Sequence, residues 1–225
     1  WAMEQYPAMQ IVCSTQAAKM LPQFFEGIKT DGRVRIVKEG DTLCLGQHTL
    51  RFIGAPMVHW PEVLMSYEEK SGTLFSADAF GKFGALQNET DDWACEARRY
   101  YFNICGKYGT QVKNVLKKAT SPCPQAICPL HGPVLHGAAL QQAVSLYETW
   151  SSYEPESEGV LVAYASIHGG TKKAAERLAD MLREKGAKKV VLADLTRSDM
   201  AEVIEDAFRY PALVVAASSY DAGVF

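Results

Sequence analysis

The sequence has 225 residues, 48% of them hydrophobic and 22% charged, enough for one large or two small domains with real cores. Its 23 basic and 26 acidic residues give a net charge of −3, so no electrostatic footprint for nucleic acid stands out. No apolar run approaches a bilayer span, which excludes a membrane-spanning helix.

The start, "WAMEQYPAMQ", has no initiator methionine and no basic-then-apolar signal-peptide pattern. The end, "LVVAASSYDAGVF", stops just after an apolar strand-like run, so both ends read as cuts in a longer protein. From the start, "MQIVCS" reads as a strand and "TQAAKMLPQFFEGI" as a helix weakened by Pro22. "RVRIVKEG", "DTLCLG" and "HTLRFIGA" are further strands, the last two joined by a turn at Gly46–Gln47 that leaves His48 in a strand. "EVLMSY" and "GTLFSA" pair around Lys70–Gly72. Strands hairpinned this densely predict an antiparallel or mixed sheet.

From Asp91 the pattern turns helical, with "DDWACEARRYYFNIC" and then "KYGTQVKNVLKKAT". "PQAICP" is a short strand ending near His131, and "GAALQQAVSLYETWSS" is an amphipathic helix. The polar "YEPESEG", residues 153–159, reads as a linker between a first domain (1–152) and a second (160–225). There "VLVAYAS", "KKVVLADL" and "ALVVAASS" are strands. They alternate with the helices "TKKAAERLADMLREKG" and "SDMAEVIEDAFRY", the latter expected to be capped by Ser198. Apolar strands separated by amphipathic helices predict a doubly wound parallel sheet covered on both faces.

The six cysteines, Cys13, Cys44, Cys95, Cys105, Cys123 and Cys128, are scattered in a chain too large to need disulfides. Reduced thiols in a cytoplasmic protein follow, with Cys123 and Cys128 expected to be buried thiols and not zinc ligands. Cys123, Cys128, His131 and His136 make a C-x4-C-x2-H-x4-H string that matches no common zinc spacing.

Two stretches carry chemistry. In the second domain, residues 166–171 (Ser166, Ile167, His168, Gly169, Gly170, Thr171) form a hydroxyl- and glycine-bearing loop between strand and helix. Free N–H groups and the dipole at a helix start make an anion site. The plainer reading is a βα turn with Thr171 as the helix N-cap. In the first domain, His59 and Asp78 sit in otherwise apolar, small-residue runs, and His131 lies in "CPLHGPVLHG". Buried polar groups of this kind call for a shared partner, here a metal. Singly, each has an ordinary reading: a hydrogen-bonded histidine, a turn aspartate partnered by Ser76, a histidine at a strand corner. His48 and His136 read as structural.

The loop "SIHGGT" resembles the flavodoxin S-x-x-G-x-T loop that wraps the phosphate of FMN, with Gly170 where that family often has Asn. "SSYDAG" (Ser218, Ser219, Tyr220, Asp221, Gly223) stands where flavodoxins place an aromatic-bearing second loop, though with "SSYD" in place of a Pro-Thr-Tyr-Asn type. "APMVHWPEVLMSY", "LFSADAFG", "CPLHGPVL" and a "Y-x-x-W" helix, in that order before such a domain, resemble the flavodiiron proteins. The resemblance implies an α/β protein with an α+β first domain. A metallo-β-lactamase-like αββα sandwich is followed by a truncated flavodoxin-like doubly wound sheet. It implies iron ligands at His59, Asp78 and His131, with Asp78 bridging two non-haem irons, and FMN held by the two loops. It further implies reduction of O2 to water or of NO to N2O, with a rubredoxin-like or flavin reductase electron donor. A head-to-tail homodimer or tetramer goes with it. The family's H-x-E-x-D-H segment does not occur in these 225 residues and is expected upstream of Trp1. The alternatives are a dinuclear zinc hydrolase on the same scaffold, or a relic that has lost its metals.

Overall fold

A computed structural model describes residues 1–28, 30, 32–87 and 92–225. The first domain opens with α1 (Ala2–Gln5) and β1 (Ile11–Cys13), which pairs in parallel with β2 (Val34–Ile36). Between the two strands, α2 (Thr15–Phe24) starts where the Ser14 hydroxyl accepts the Ala17 N–H, and it contains Pro22.

Six strands then build one sheet in chain order: β3 (Thr42–Cys44), β4 (Thr49–Gly54), β5 (Leu64–Glu68), β6 (Thr73–Phe75), β7 (Ala126–Cys128) and β8 (Leu135–His136). Neighbours are antiparallel except β6 and β7, which are parallel because two helices cross over between them. The sheet is thus mixed, as the strand spacing predicts.

His48 precedes β4 instead of lying within a strand, and its Nδ1 is 3.2 Å from Glu68 Oε1. Glu68 closes the β5–β6 turn by accepting the Ser71 hydroxyl and the N–H groups of Ser71 and Lys70. Those bonds, the Ser71 hydroxyl foremost, hold its carboxyl down to about 2.

Helices α3 (Trp93–Ile104), α4 (Gly109–Thr120) and α5 (Gly137–Ser151) cover one face of this sheet. The main core forms there, from Ile53, Met65, Leu74 and Ile127 of the strands against Tyr101, Leu116, Tyr147 and Trp150 of the helices. Asp92 caps α3; Asp91, where the helical pattern begins in the sequence, lies outside the described residues.

The second domain is a parallel sheet in the order β10 (Val190–Asp194), β9 (Val160–Ala165), β11 (Ala212–Ala217). α6 (Gly170–Glu184) and α7 (Met200–Arg209) lie against opposite faces, each over its own small apolar cluster. A hairpin of β12 (Ser219–Tyr220) and β13 (Gly223–Val224) follows. The cap of α7 is Asp199, whose Oδ1 accepts the Ala201 N–H at 2.8 Å; Ser198, the expected cap, stands one residue too early. The cysteines are free; Cys123 is exposed and Cys128 is partly exposed, against the expectation that these two are buried thiols. Among the described residues no helix is long and apolar enough to cross a membrane.

Residues 153–159 carry no helix or strand, yet they are not loose. Arg98 on α3 is 1% exposed, and its Nε and Nη2 donate to Glu156 at 2.6 and 2.8 Å. Its Nη1 donates to Glu205 on α7 at 2.7 Å, and Trp150 Nε1 donates to Glu156 at 2.8 Å. Phe102 stacks on Phe208 beside them at 4.3 Å. One cation therefore joins the first domain, the connecting segment and the second domain.

Removing one partner of such a buried pair strands the others. Arg98→Leu is expected to lower unfolding stability by about 3–5 kcal/mol, measured in a denaturant titration. Glu68 predicts an acid dependence of known sign. Its folded pKa lies below the unfolded value of 4.5, so its contribution is present above about pH 4.5 and fades as pH falls toward about 2. Glu68→Gln should flatten the stability profile across that window; an unchanged profile would refute the assignment.

Candidate functional site

β4, β6 and β7 run in the same direction, so the loops that leave them emerge at one end of the sheet. Those loops carry His59, Asp78 and His131. His59 Nε2 lies 3.3 Å from Asp78 Oδ2, and His131 Nε2 lies 3.3 Å from Asp78 Oδ1. Each carboxylate oxygen thus faces one imidazole. The Asp78 side chain is 15% exposed while His131 is 58% exposed, so the carboxylate forms the inner floor of the site.

Backbone bonds zip the two inner loops together. Ser76 N–H donates to Cys128 O, Leu130 N–H to Ala77 O at 2.8 Å, and Lys82 N–H to His131 O. Ser76 Oγ donates to Ala79 O at 2.7 Å, so Asp78 is not its partner as the local reading supposed. Tyr147, buried in α5, accepts the Phe80 N–H at 2.7 Å. Met57, Ala77 and Phe80 all have positive φ, of 65°, 53° and 66°; such strain persists where surroundings over-determine it, as at functional sites.

The glycine of the "DAFG" motif has a direct steric reason. A Cβ on Gly81 would stand 2.9 Å from Asp78 O and 3.2 Å from His131 O, both backbone atoms that cannot swing aside. Gly132, after His131, has φ 98°.

Two cavities meet at the trio. One of about 430 Å³ includes Asp78, Trp60 and Glu62; the other, of about 580 Å³, includes His59, His131, Lys82 and Tyr100. Burial, with Asp78 adding to it, pushes the Tyr100 phenol well up, so it stays protonated. Burial likewise pushes the Cys105 thiol up to about 12, so it is no thiolate ligand. Among the described residues no group of three or more His, Cys, Asp or Glu is set to hold a metal ion. Imidazole and carboxylate are donor types that fit non-haem iron, but in number the trio is an incomplete set. The Cys123–His136 string gathers no such group either.

At the second site the chain steps from β9 to β10 on one side and then to β11 on the other. The crevice between β9 and β11 is thus a switch point, where doubly wound sheets bind ligands. Residues 166–171 leave β9, and 218–223 follow β11. α6 begins at Gly170, with Gly169 (φ 83°) at the cap, so Thr171 is not the N-cap. Its Oγ1 instead meets Ser218 Oγ at 2.8 Å and ties the two loops together. Ser166 Oγ accepts the Gly169 N–H, while the N–H groups of Gly170, Thr171 and Lys172 precede the first intrahelical bond, which Lys173 makes to Gly169 O. A Cβ on Gly169 or Gly170 would meet nothing within 4 Å, so this mouth is open. Asp221 and Ala222, at φ 49° and 58°, make the two-residue turn of the β12–β13 hairpin, which leaves Tyr220 67% exposed. Ile167, His168, Ser219 and Gly223 lie on the same two loops.

The residue reading missed Tyr147 as the support of the Asp78 loop, although the "Y-x-x-W" motif contains it. It missed Lys82 as a cavity residue altogether.

A mixed sheet backed by three helices, with the site at its loop end, and then a parallel α/β sheet define a metallo-β-lactamase-like domain joined to a flavodoxin-like one. The family described as ODP family beta lactamase matches residues 1–132, more than half of the sequence, and the chain belongs to that family. Its relatives and structural neighbours are flavodiiron proteins. The rubredoxin-oxygen oxidoreductase of Megalodesulfovibrio gigas is 32% identical over 69% of this chain and 41% of its own length. The nitric oxide reductase of Moorella thermoacetica is 29% identical over 95% of this chain and 54% of its own. The crystal structure of the flavodiiron protein from Giardia intestinalis superposes with a TM-score of 0.86 at 27% identity, covering 93% of this chain and 52% of that one. The chain spans about half the length of the curated relatives it matches.

Gly81 gives the site a direct test. Gly81→Ala should force the Asp78 and His131 loops apart and cost about 1–3 kcal/mol of stability, read from the shift of the denaturant midpoint. A neutral substitution would mean that the loops do not approach as closely as described.

Proposed function

We propose that the chain serves a flavodiiron oxidoreductase that reduces O2 to water, NO to N2O, or both. The observation that carries the reading is Asp78 with one imidazole at each carboxylate oxygen, an arrangement suited to a carboxylate shared by two metal ions. His59, Asp78 and His131 would hold two non-haem irons, with Asp78 between them and further ligands supplied from outside the trio. When bound, the iron pair supplies adjacent redox centres with open positions for a diatomic gas. The names of the relatives, one an oxygen oxidoreductase and one a nitric oxide reductase, support both substrates.

The chain's own residues have plain tasks. Asp78 supplies negative charge and holds the two imidazoles, while Gly81 and Tyr147 keep its loop in place. The loop at 166–171 would take the FMN phosphate on the free N–H groups of α6, with Thr171 and Ser218 beside it. Tyr220, Asp221 and Gly223 of the second loop would help to hold the flavin. Electrons arrive from a rubredoxin-like protein or a flavin reductase, and the protein works in the cytoplasm as a head-to-tail homodimer or tetramer.

Anaerobic titration with Fe(II) tests the metal reading. Asp78→Ala should weaken iron binding about 10-fold or more, while His136→Ala should leave it unchanged. Equal affinities in the two variants would sink the assignment. Preference for zinc, with no response to FMN, would favour the hydrolase reading.

A further inference from the structure

Lys82 follows the "DAFG" motif and is 7% exposed, a burial lysine seldom reaches without a counter-charge. Among the described residues, no carboxylate pairs with its ammonium and no hydrogen bond takes it up. Its Nζ is also not one of the fully enclosed polar atoms that lack a partner, which are Glu62 Oε2, Trp93 Nε1, Arg99 Nε, Tyr101 Oη and Arg209 Nε. An ammonium neither paired nor sealed keeps access to open space, and the space Lys82 lines is the cavity of about 580 Å³ beside His59 and His131.

That cavity has a one-sided chemistry. Among the described residues lining it there is no aspartate or glutamate, and Lys82 is the single fixed charge. The Tyr100 hydroxyl adds a hydrogen-bonding group, and Phe83, Ile104 and Leu130 make the rest of the wall apolar. Asp78 stands behind the two lining histidines, 3.3 Å from each, and not in the lining itself. A positive charge in a partly desolvated pocket attracts anions more strongly than the same charge in water. We infer that this cavity is a binding site for a small inorganic monoanion, of the size and charge of nitrite or azide, held by Lys82 with Tyr100 as a second donor.

The cavity shares His59 and His131 with the proposed iron site, but the charge that would hold the anion is that of Lys82, which is not one of the trio. It gives Lys82 a task that the trio does not need. The lysine would retain small anions beside the imidazoles, so such anions would compete with or modulate whatever chemistry occurs there.

The test is a titration of the EDTA-treated chain with sodium nitrite in a low-chloride buffer, followed by amide shifts of Lys82, Gly84, His131 and Gly132. The wild type should saturate. Lys82→Met, which keeps most of the stem that packs on Gly132, should bind at least about 10-fold more weakly, and Lys82→Arg should stay within about 3-fold of wild type. Circular dichroism and the unfolding midpoint establish that both variants fold; if Lys82→Met does not, Lys82→Gln replaces it. Absence of saturable shifts in the wild type overturns the inference, as does equal affinity in the neutral variant. Binding that appears only after iron is added, and ignores the Lys82 substitutions, also overturns it, since the anion then belongs to the metal. A failed iron titration with intact nitrite binding would count against the iron reading alone.

Discussion

The most deeply buried bond between the two domains is made by one guanidinium, with Arg99 to Asp199 and Asn103 to Ala201 O beside it nearer the surface. Arg98 is buried in α3, and every direction in which it donates ends on a carboxylate from a different stretch of chain. Taking such a charge out of water costs several kcal/mol, so the arrangement is weak evidence for extra stability and stronger evidence for registry. A hydrophobic contact between α3 and α7 could slide; a fork that must reach Glu156 and Glu205 together cannot. The two acids are not equal partners. Burial would raise both, but the paired bonds from Arg98 and the one from Trp150 overcome it at Glu156, whose carboxyl ends below its usual range. Glu205 receives one bond from Arg98, and burial wins there, leaving its carboxyl raised. The firm half of the clasp is therefore the one that fixes the connecting segment.

The candidate metal centre depends on direction in the same way that the domain pair depends on charge. Because β4, β6 and β7 run the same way, three residues from positions 59, 78 and 131 arrive at one edge of the sheet without any long-range loop having to find its place. Asp78 is the pivot: it is the least exposed of the three side chains and the only one in contact with both others. The supports around it are steric and local. Gly81 has no room for a methyl group, Tyr147 takes the neighbouring N–H, and three residues hold left-handed backbone that isolated chains would avoid. A site that must hold charged groups close together is best built on elements that cannot relax away from one another.

Much of this was legible before any coordinates. The change of rhythm after residue 159 predicts a parallel sheet because alternating helices and apolar strands have few other ways to bury both faces. The trio was legible only as separate motifs, since spacing along the chain says nothing of the direction in which β6 and β7 meet. Cap positions slipped by one or two residues, from Ser198 to Asp199 and from Thr171 to Gly169, because several neighbouring residues could each serve as a cap. The segment 153–159 is a connector that the structure ties down, and the reason is instructive. Its composition is that of a solvated linker, and Glu156 is drawn half-buried because Arg98, 58 residues away, and Trp150, six residues before it, both turn their donors toward it. Composition reports what a segment can do when alone. Glu156 shows the limit, since its firmest partner, Arg98, lies 58 residues away in the sequence.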